Sequence, residues 1–551
     1  MYNIRQMTQQ GICLLSLLLA VVLSGCSSGT KGTQGSATPT TPTTPQSAST
    51  YYVNCSLSSD GSGSESSPWN SLQDVNAHTF MPGDSLLLAR GTTCSGALLP
   101  EGSGSSTSPI TVDAYGTGAL PIINAGSTNT AAVSLNNQQY WSIADLEIIG
   151  GAAYGVYITG DLPDQPLSGI TLTNLNVHNA TGVSTRRGDS GEVVLAANGV
   201  GQTLNNILIN GVTAHDSEVS EGIMVGAGGG FTGPPSQTLG SKITIENSTA
   251  YNVYGDGITV AEATNAMLEN NVVYESGKCP DCGDSTPGGL WEWYCQTCTV
   301  QDNESYANQT WGDGDGGDFD IDYYNENNIV QYNYGHDSAG YCVSNFGAEN
   351  TADQDNIIRY NICSNNEQEA SKKNQGDVFF ATWDGGSLDG IQVYNNTFYW
   401  NPATPGPLLN TTAATFSGNA PDFFKNNIIY STVPQMISSM SPVSLDYNIY
   451  YVTSGAGEWT WSGASYSSLS DYQSGSQQDA HSLDGDPMLM NPTSDSTGMP
   501  TSAFTLESGS PAIGAGTNVC AGIANCTIGS QDFFGNPLPV NGTGINIGAY
   551  Q

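Results

Sequence analysis

The chain has 551 residues with 50 acidic against 11 basic side chains, a formal charge of -39 and a pI near 4.1. That balance excludes nucleic acid and anionic membrane surfaces as partners, since both need a basic face, and it argues against a highly anionic polymer as substrate. Charged residues make up only 11% while glycine reaches 67, so solubility rests on amides and hydroxyls, as in a turn-rich secreted β protein.

The N-terminus carries Arg5, an apolar run from Ile12 to Leu23, and Leu23-Ser24-Gly25-Cys26. The run is too short and too early for a membrane span. These residues resemble a bacterial lipoprotein signal with its lipobox. By that resemblance residues 1–25 are removed, Cys26 becomes the lipidated first residue, and the anchor is the protein's one membrane contact. Residues 26–50 are rich in Ser, Thr, Pro and Gly and read as a flexible tether. The folded body is then expected outside the cytoplasm as a monomer.

Setting Cys13 and Cys26 aside leaves ten cysteines, an even number suited to an oxidising compartment. Sequence proximity suggests Cys55 with Cys94, Cys342 with Cys363, and Cys520 with Cys526. The other four form Cys279-x-x-Cys282 and Cys295-x-x-Cys298; disulfides are the preferred reading, and a structural zinc ion is the alternative.

Residues 51–125 are expected to form an N-terminal cap and first coils. From Ile143 to Leu445 one phrase repeats, an aliphatic residue, one or two spacers, then Asn: Ile245-Glu-Asn247, Leu268-Glu-Asn270, Val393-Tyr-Asn395, Phe424-Lys-Asn426, and with Asp in Val300-Gln-Asp302. The aliphatic anchors fall at 143, 172, 209, 245, 268, 300, 330, 358, 393, 424 and 445, in steps of 21 to 37 residues. Such a period signals a solenoid. Between anchors lie short, alternating, Gly-bounded segments such as Gly257-Ile-Thr-Val-Ala261, which read as strands. The prediction is an all-β, right-handed parallel β-helix over 126–451, with Asn side chains serving the backbone at one repeated bend and C-terminal coils and cap over 452–551. This pattern resembles the pectate-lyase-like superfamily. The polygalacturonase motifs of that superfamily are absent, so the resemblance implies the fold and a groove along one outer strand ladder, and not a substrate.

Aligning the repeats separates structural columns from exceptions. Six residues after each anchor stand His178, His215, Tyr251, Tyr274, Tyr306, His336, Ser364, Tyr399 and Tyr430. His336 therefore reads as a corner packer, while remaining a candidate substrate contact. The exceptional strand is Gly317-Asp-Phe-Asp-Ile-Asp322. Alternation places Phe319 and Ile321 inside and Asp318, Asp320 and Asp322 outside. Crowded carboxylates raise one pKa while another stays ionised, the requirement for a general acid and base. One rung earlier, Trp291 and Trp293 are expected on the same outer face, as flat surfaces for sugar rings. Glu292 falls inside by alternation, or a bulge turns it outward to join the aspartates.

The loops before these strands supply further candidates: Trp311, Arg359 and Lys372 for substrate, and Asp313 and Asp315 as calcium ligands with Asp318. The leading expectation is a glycoside hydrolase acting on a neutral or weakly charged polysaccharide. A calcium-dependent polyuronate lyase and a non-catalytic glycan-binding solenoid are the alternatives.

Overall fold

The eleven apolar anchors pair with one another residue for residue, from Ile143 with Leu172 to Phe424 with Leu445, every pairing parallel. All are at most 2% exposed. They form the interior column of one face of a parallel β-helix. This is a computed structural model, and it describes residues 47–182, 190–218, 220–227, 238–279, 287–310, 314–369, 375–492, 497–500, 502–539 and 544–551.

Each coil contributes short strands to three parallel ladders. Ladder one runs from Ala131–Asn136 through Asp256–Thr264, Gly288–Gln296, Gly317–Asp322, Val343–Gly347, Val378–Thr382, Leu409–Ala413 and Gln435–Ser439 to Glu458–Trp461. Ladder two holds the anchors. Ladder three carries the His/Tyr column, and its pairings match the predicted register from His178 with His215 to Tyr399 with Tyr430. From His178 to His336 these rings stack, with centroids 4.7 to 5.0 Å apart. That spacing is the distance between neighbouring strands.

The repeated bend divides its work between two positions. Two residues after the anchor, Asn247, Asn270, Asp302, Tyr332, Tyr360, Asn395, Asn426 and Tyr447 hold φ between 50° and 58°. Asn and Asp tolerate this left-handed region better than other residues with a side chain. One residue later stands the stacked amide row Asn271, Asn303, Asn333, Asn361, Asn396, Asn427 and Asn448. Each Nδ2 donates to the next Oδ1 at 3.0 to 3.3 Å. The row also bonds backbone groups that the turn leaves unpaired, as where Asn333 Nδ2 donates to the Val300 carbonyl.

Disulfides join Cys55 to Cys94, Cys342 to Cys363 and Cys520 to Cys526, as sequence proximity suggested. They are bonds of a protein that matures in an oxidising compartment. Strand pairing begins where Thr50–Val53 meets Ser85–Ala89.

The C-terminal phrases depart from expectation. Ser510–Gly516 and Ile545–Tyr550 do not close the end of the solenoid; they lie back along its side. Phe504, Phe533, Ile547 and Ala549 pack there on Tyr334, Tyr360, Ile362 and Ile428. Asn395 and Asn426 donate to the carbonyls of Asn546 and Thr517. The tyrosines that face outward from ladders two and three offer an apolar strip, and the tail covers it. At the far end the helix Leu469–Ser476 buries Leu469 and Tyr472 against the last strands.

Candidate functional site

The Gly317–Asp322 strand pairs Phe319 with Leu290 and Ile321 with Glu292 on the inside, and Asp320 with Trp291 and Asp322 with Trp293 on the outside. Alternation thus holds for Asp320 and Asp322, which are 9% and 8% exposed.

It fails for Asp318, whose side chain enters the lumen. Its Oδ1 accepts from Ser305 Oγ at 3.0 Å, Asn308 Nδ2 at 3.0 Å and Ser338 Oγ at 2.6 Å. Two glycines make room. A Cβ on Gly335 would lie 2.7 Å from Asp318 Oδ2, and one on Gly289 would lie 2.2 Å from Ser305 Oγ. Burial pushes this carboxyl well above the ordinary range, against the bond from Ser338. Asp318 is a structural acid of the corner and not part of an outward row. Glu292 also faces inward, between Val260 and Ile321. Neither of its oxygens makes a well-formed hydrogen bond. Burial pushes its pKa up to about 8, with the Asn328 amide offsetting only part of the cost.

The outward carboxylates gather around Tyr341, a residue that the repeat pattern does not single out. Its hydroxyl donates to Asp320 Oδ2 at 3.2 Å, and Ser344 Oγ donates to Asp320 Oδ1 at 2.5 Å. Ser344 sits one rung above Asp320 in register. The Tyr341 ring is fully buried and runs beneath Gly317, where a Cβ would come within 2.1 Å of it. Burial, then the nearby charges of Asp315, Asp320 and Asp322, push its hydroxyl pKa far up, so it stays a proton donor.

Asp315 and Asp322 line one pocket of about 330 Å³ with Tyr323, Phe346, Phe379, Ala381 and Trp383. The aromatic wall is a connected set, with Phe346 against Phe379 at 5.7 Å, Phe346 against Trp383 at 5.5 Å and Tyr323 against Trp383 at 5.6 Å between centroids. Trp383 is 40% exposed. Asp322 Oδ1 accepts the Tyr323 backbone N–H at 3.1 Å. No Lys, Arg or His is among the described residues that line this pocket. A larger pocket of about 550 Å³ lies further along the same ladder, with Glu458 as the one carboxylate among its described lining.

No family model matches the chain. A lacto-N-biosidase of Bifidobacterium longum subsp. longum is 26% identical over 483 residues, which take in 69% of this chain and 29% of that protein. The chain therefore spans less than a third of that relative. Among solved structures, a GH136 lacto-N-biosidase from Eubacterium ramulus is 21% identical with a TM-score of 0.49 over 65% of each chain. Pectate lyase Pel9A is 16% identical with a TM-score of 0.40 over 92% of this chain and 97% of its own.

The remaining predicted residues fall elsewhere. Trp291 and Trp293 do point outward, but each is 2% exposed and Trp293 packs edge-on against Tyr323 and Tyr324, so neither offers a free face. His336 is 2% exposed on ladder three, bonded to Glu304 at 3.2 Å and Asp337 at 2.7 Å. Burial opposes its charge, yet those two acids win and its pKa is pushed up to about 9. Arg359 lies on ladder two, tied to Gln331, Tyr394 and Thr527 of the C-terminal tail. Both are fixed away from the pocket. Cys26, Cys282, Trp311, Asp313 and Lys372 lie outside the described residues.

The metal expectations change as well. Cys279 is disulfide-bonded, whereas Cys295 and Cys298 are free thiols buried in the lumen, so the four do not form one zinc site and the second pair is not bridged. For calcium, Asp318 is turned inward onto Ser and Asn donors and does not converge with Asp315. Among the described residues the groupings compact enough for a metal are Glu292/Cys295/Cys298 and Cys342/Cys363/Asp377, and the latter's cysteines are joined in a disulfide.

Proposed function

We propose that this protein is a glycoside hydrolase cleaving a neutral glycan in the pocket between Asp315, Asp322 and the aromatic wall. The observation that carries the reading is the composition of that pocket: two carboxylates facing an exposed indole and two phenyl rings, with no cation among the described lining. Aromatic faces pack on the C–H faces of a pyranose, and paired carboxyls supply the acid and the base or nucleophile that glycosidic cleavage requires. A uronate lyase needs a cation to neutralise the substrate carboxylate, and the described residues of this lining include none. The likeness to a lacto-N-biosidase points the same way.

In this reading Asp322, fixed by the Tyr323 N–H, is the anionic partner that attacks or activates water. Asp315, on the turn before the strand and half-buried, protonates the leaving oxygen. Asp320 is a positioning residue, held by Tyr341 and Ser344, whose charge stabilises the positive character developing at the sugar ring. We further propose that Cys26 is lipidated and anchors the body outside the cytoplasm. No helix among the described residues is long and apolar enough to cross a membrane. Labelling with a fatty acid, lost in Cys26→Ala, tests the anchor.

The deciding experiment incubates the protein with an aryl lacto-N-bioside and a panel of neutral and uronate polysaccharides, reading released aglycone, reducing ends and ultraviolet absorbance together. Hydrolysis without absorbance that falls at least about a thousandfold in Asp322→Asn and Asp315→Asn supports the proposal. Hydrolysis indifferent to both substitutions, or product absorbing in the ultraviolet, overturns it.

A further inference from the structure

The outer face of ladder one is closed on one side of the acid rung and open on the other. Upstream, Val194, Met224, Thr259 and Trp291 occupy successive outward positions in register, and each is at most 2% exposed. Downstream the same column continues from Asp320 through Ser344, Phe379, Asn410 and Ser438 to Thr460. There Ser344 and Asn410 are buried, but Phe379, Ser438 and Thr460 are only half-buried and Thr412 beside them is exposed. A ligand seated at the acid pair therefore has one direction in which to extend.

That direction leads into the pocket of about 550 Å³, lined among others by Asn410, Ser438, Thr460, Glu458, Ser465 and Tyr466. Its far wall is raised by the antiparallel turn-back of Ala464–Tyr466 on Glu458–Trp461. The two pockets adjoin on consecutive rungs, because Phe379 of the aromatic wall pairs directly with Asn410. Five rungs separate Asp320 from Thr460, roughly 24 Å at about 4.8 Å per strand. Among the described residues the lining is mainly hydroxyls and amides, with Pro407, Ile437, one phenol ring and one carboxylate, and it includes no cation. Such a surface suits a neutral, hydroxyl-rich ligand and does not suit an anionic or a mainly apolar one.

We propose that this second pocket is a distal carbohydrate-binding subsite, which takes the neutral continuation of the glycan whose scissile end occupies the Asp315/Asp322 pocket. The proposal rests on the hydrolase reading and extends it: the substrate is an oligosaccharide or glycan chain long enough to span both pockets. Two-pocket binding places the second contact at high effective concentration once the first is made, so affinity rises steeply at the chain length that bridges them.

The test measures KM and binding enthalpy for lacto-N-biose-terminated oligosaccharides of increasing length, with xylo-oligosaccharides as a second neutral series. Two variants accompany the wild type: Ser438→Trp, which fills the pocket, and Tyr466→Ala, which strips its ring. Either variant suffices if the other fails to fold. The expected result is at least a tenfold fall in KM when the chain reaches bridging length, with that gain lost in the variants. A wild type active on the short aryl glycoside without any gain from length overturns the subsite and leaves the hydrolase reading standing, as does a gain that survives both variants. Calorimetric binding of long chains that depends on Ser438 and Tyr466, without turnover of any substrate, keeps the subsite and overturns the hydrolase.

Discussion

The hydroxyl of Tyr341 donates to Asp320 Oδ2 at 3.2 Å from a ring with no exposed surface. The donor belongs to the segment that leads into the next rung, so it reaches back over the acid strand and meets a carboxylate that Ser344 bonds from the other side. With its pKa driven far up by burial and by three neighbouring carboxylates, the phenol holds its proton throughout the physiological range. Tyr341→Phe is expected to lower kcat about ten- to a hundredfold, the worth of one hydrogen bond to a charged group. KM should change little and the fold should survive, since the ring remains. A kcat within twofold of wild type would remove Asp320 from the working site.

Trp383 presents the most exposed ring of the aromatic wall and packs on Phe346 and Tyr323. Removing the indole takes away apolar area that a sugar ring would cover, about 1–2 kcal/mol. Trp383→Ala should therefore raise KM about five- to thirtyfold and leave kcat within about threefold. Steady-state kinetics separate the two parameters. A loss confined to kcat would show that Trp383 orders the acids and does not hold the substrate.

The fold was legible because one interior column repeats an aliphatic residue at every rung, and the anchors and the His/Tyr column fixed two ladders in correct register. The site was only half legible. Alternation tells which face a side chain leaves from, and it placed Asp320 and Asp322. It does not tell what covers that face, so by alternation alone Trp291 and Trp293 read as open surfaces. It also fails where a strand enters from a corner: Asp318 turns inward because Gly335 and Gly289, on other strands, leave space for it. Tyr341, Phe346, Phe379 and Trp383 come from the next two rungs and meet the acids only through stacking. The signal available was the run of large aromatics in and beside the outward columns of those rungs.

The asparagine row should tolerate little change. Asn333 bonds the Val300 carbonyl and Asn361 Oδ1, and its own Oδ1 accepts from both the backbone N–H and Nδ2 of Asn303. Asn333→Leu strands several buried polar groups at once, a cost of about 3–4 kcal/mol. The measured quantity is the denaturant midpoint, with activity at low temperature retained, because the row lies at the bend between ladders two and three while the pocket lies on ladder one. A midpoint shift below the equivalent of about 1 kcal/mol would mean that water replaces the missing amide.

Stability should fall as pH rises from about 4 to about 8, opposite to the rise seen in this range where native carboxylates are salt-bridged. Burial pushes the pKa of Glu192, Glu292 and Glu367 up to about 8 and that of Asp377 and Asp422 up to about 7. A carboxyl with a raised folded pKa contributes its stability in full below the unfolded value near 4, and loses it as the pH climbs through the folded value. Each such group weakens the fold progressively as the pH climbs across that window. His336, raised to about 9, works in the same direction, its contribution present below about 6.5 and lost as pH passes about 9. Asp216 and Asp337, whose pKa values are lowered, act in the opposite sense and lose their contribution only as the pH falls below about 4. Glu292→Met tests the claim at one site, since the thioether fits the apolar column of Val260 and Ile321 and needs no proton. It should raise the melting temperature at pH 8, leave it near wild type at pH 5, and flatten the slope between. An unchanged slope would mean that Glu292 is ionised in the lumen at neutral pH, which requires a cationic partner such as a metal ion held with Cys295 and Cys298.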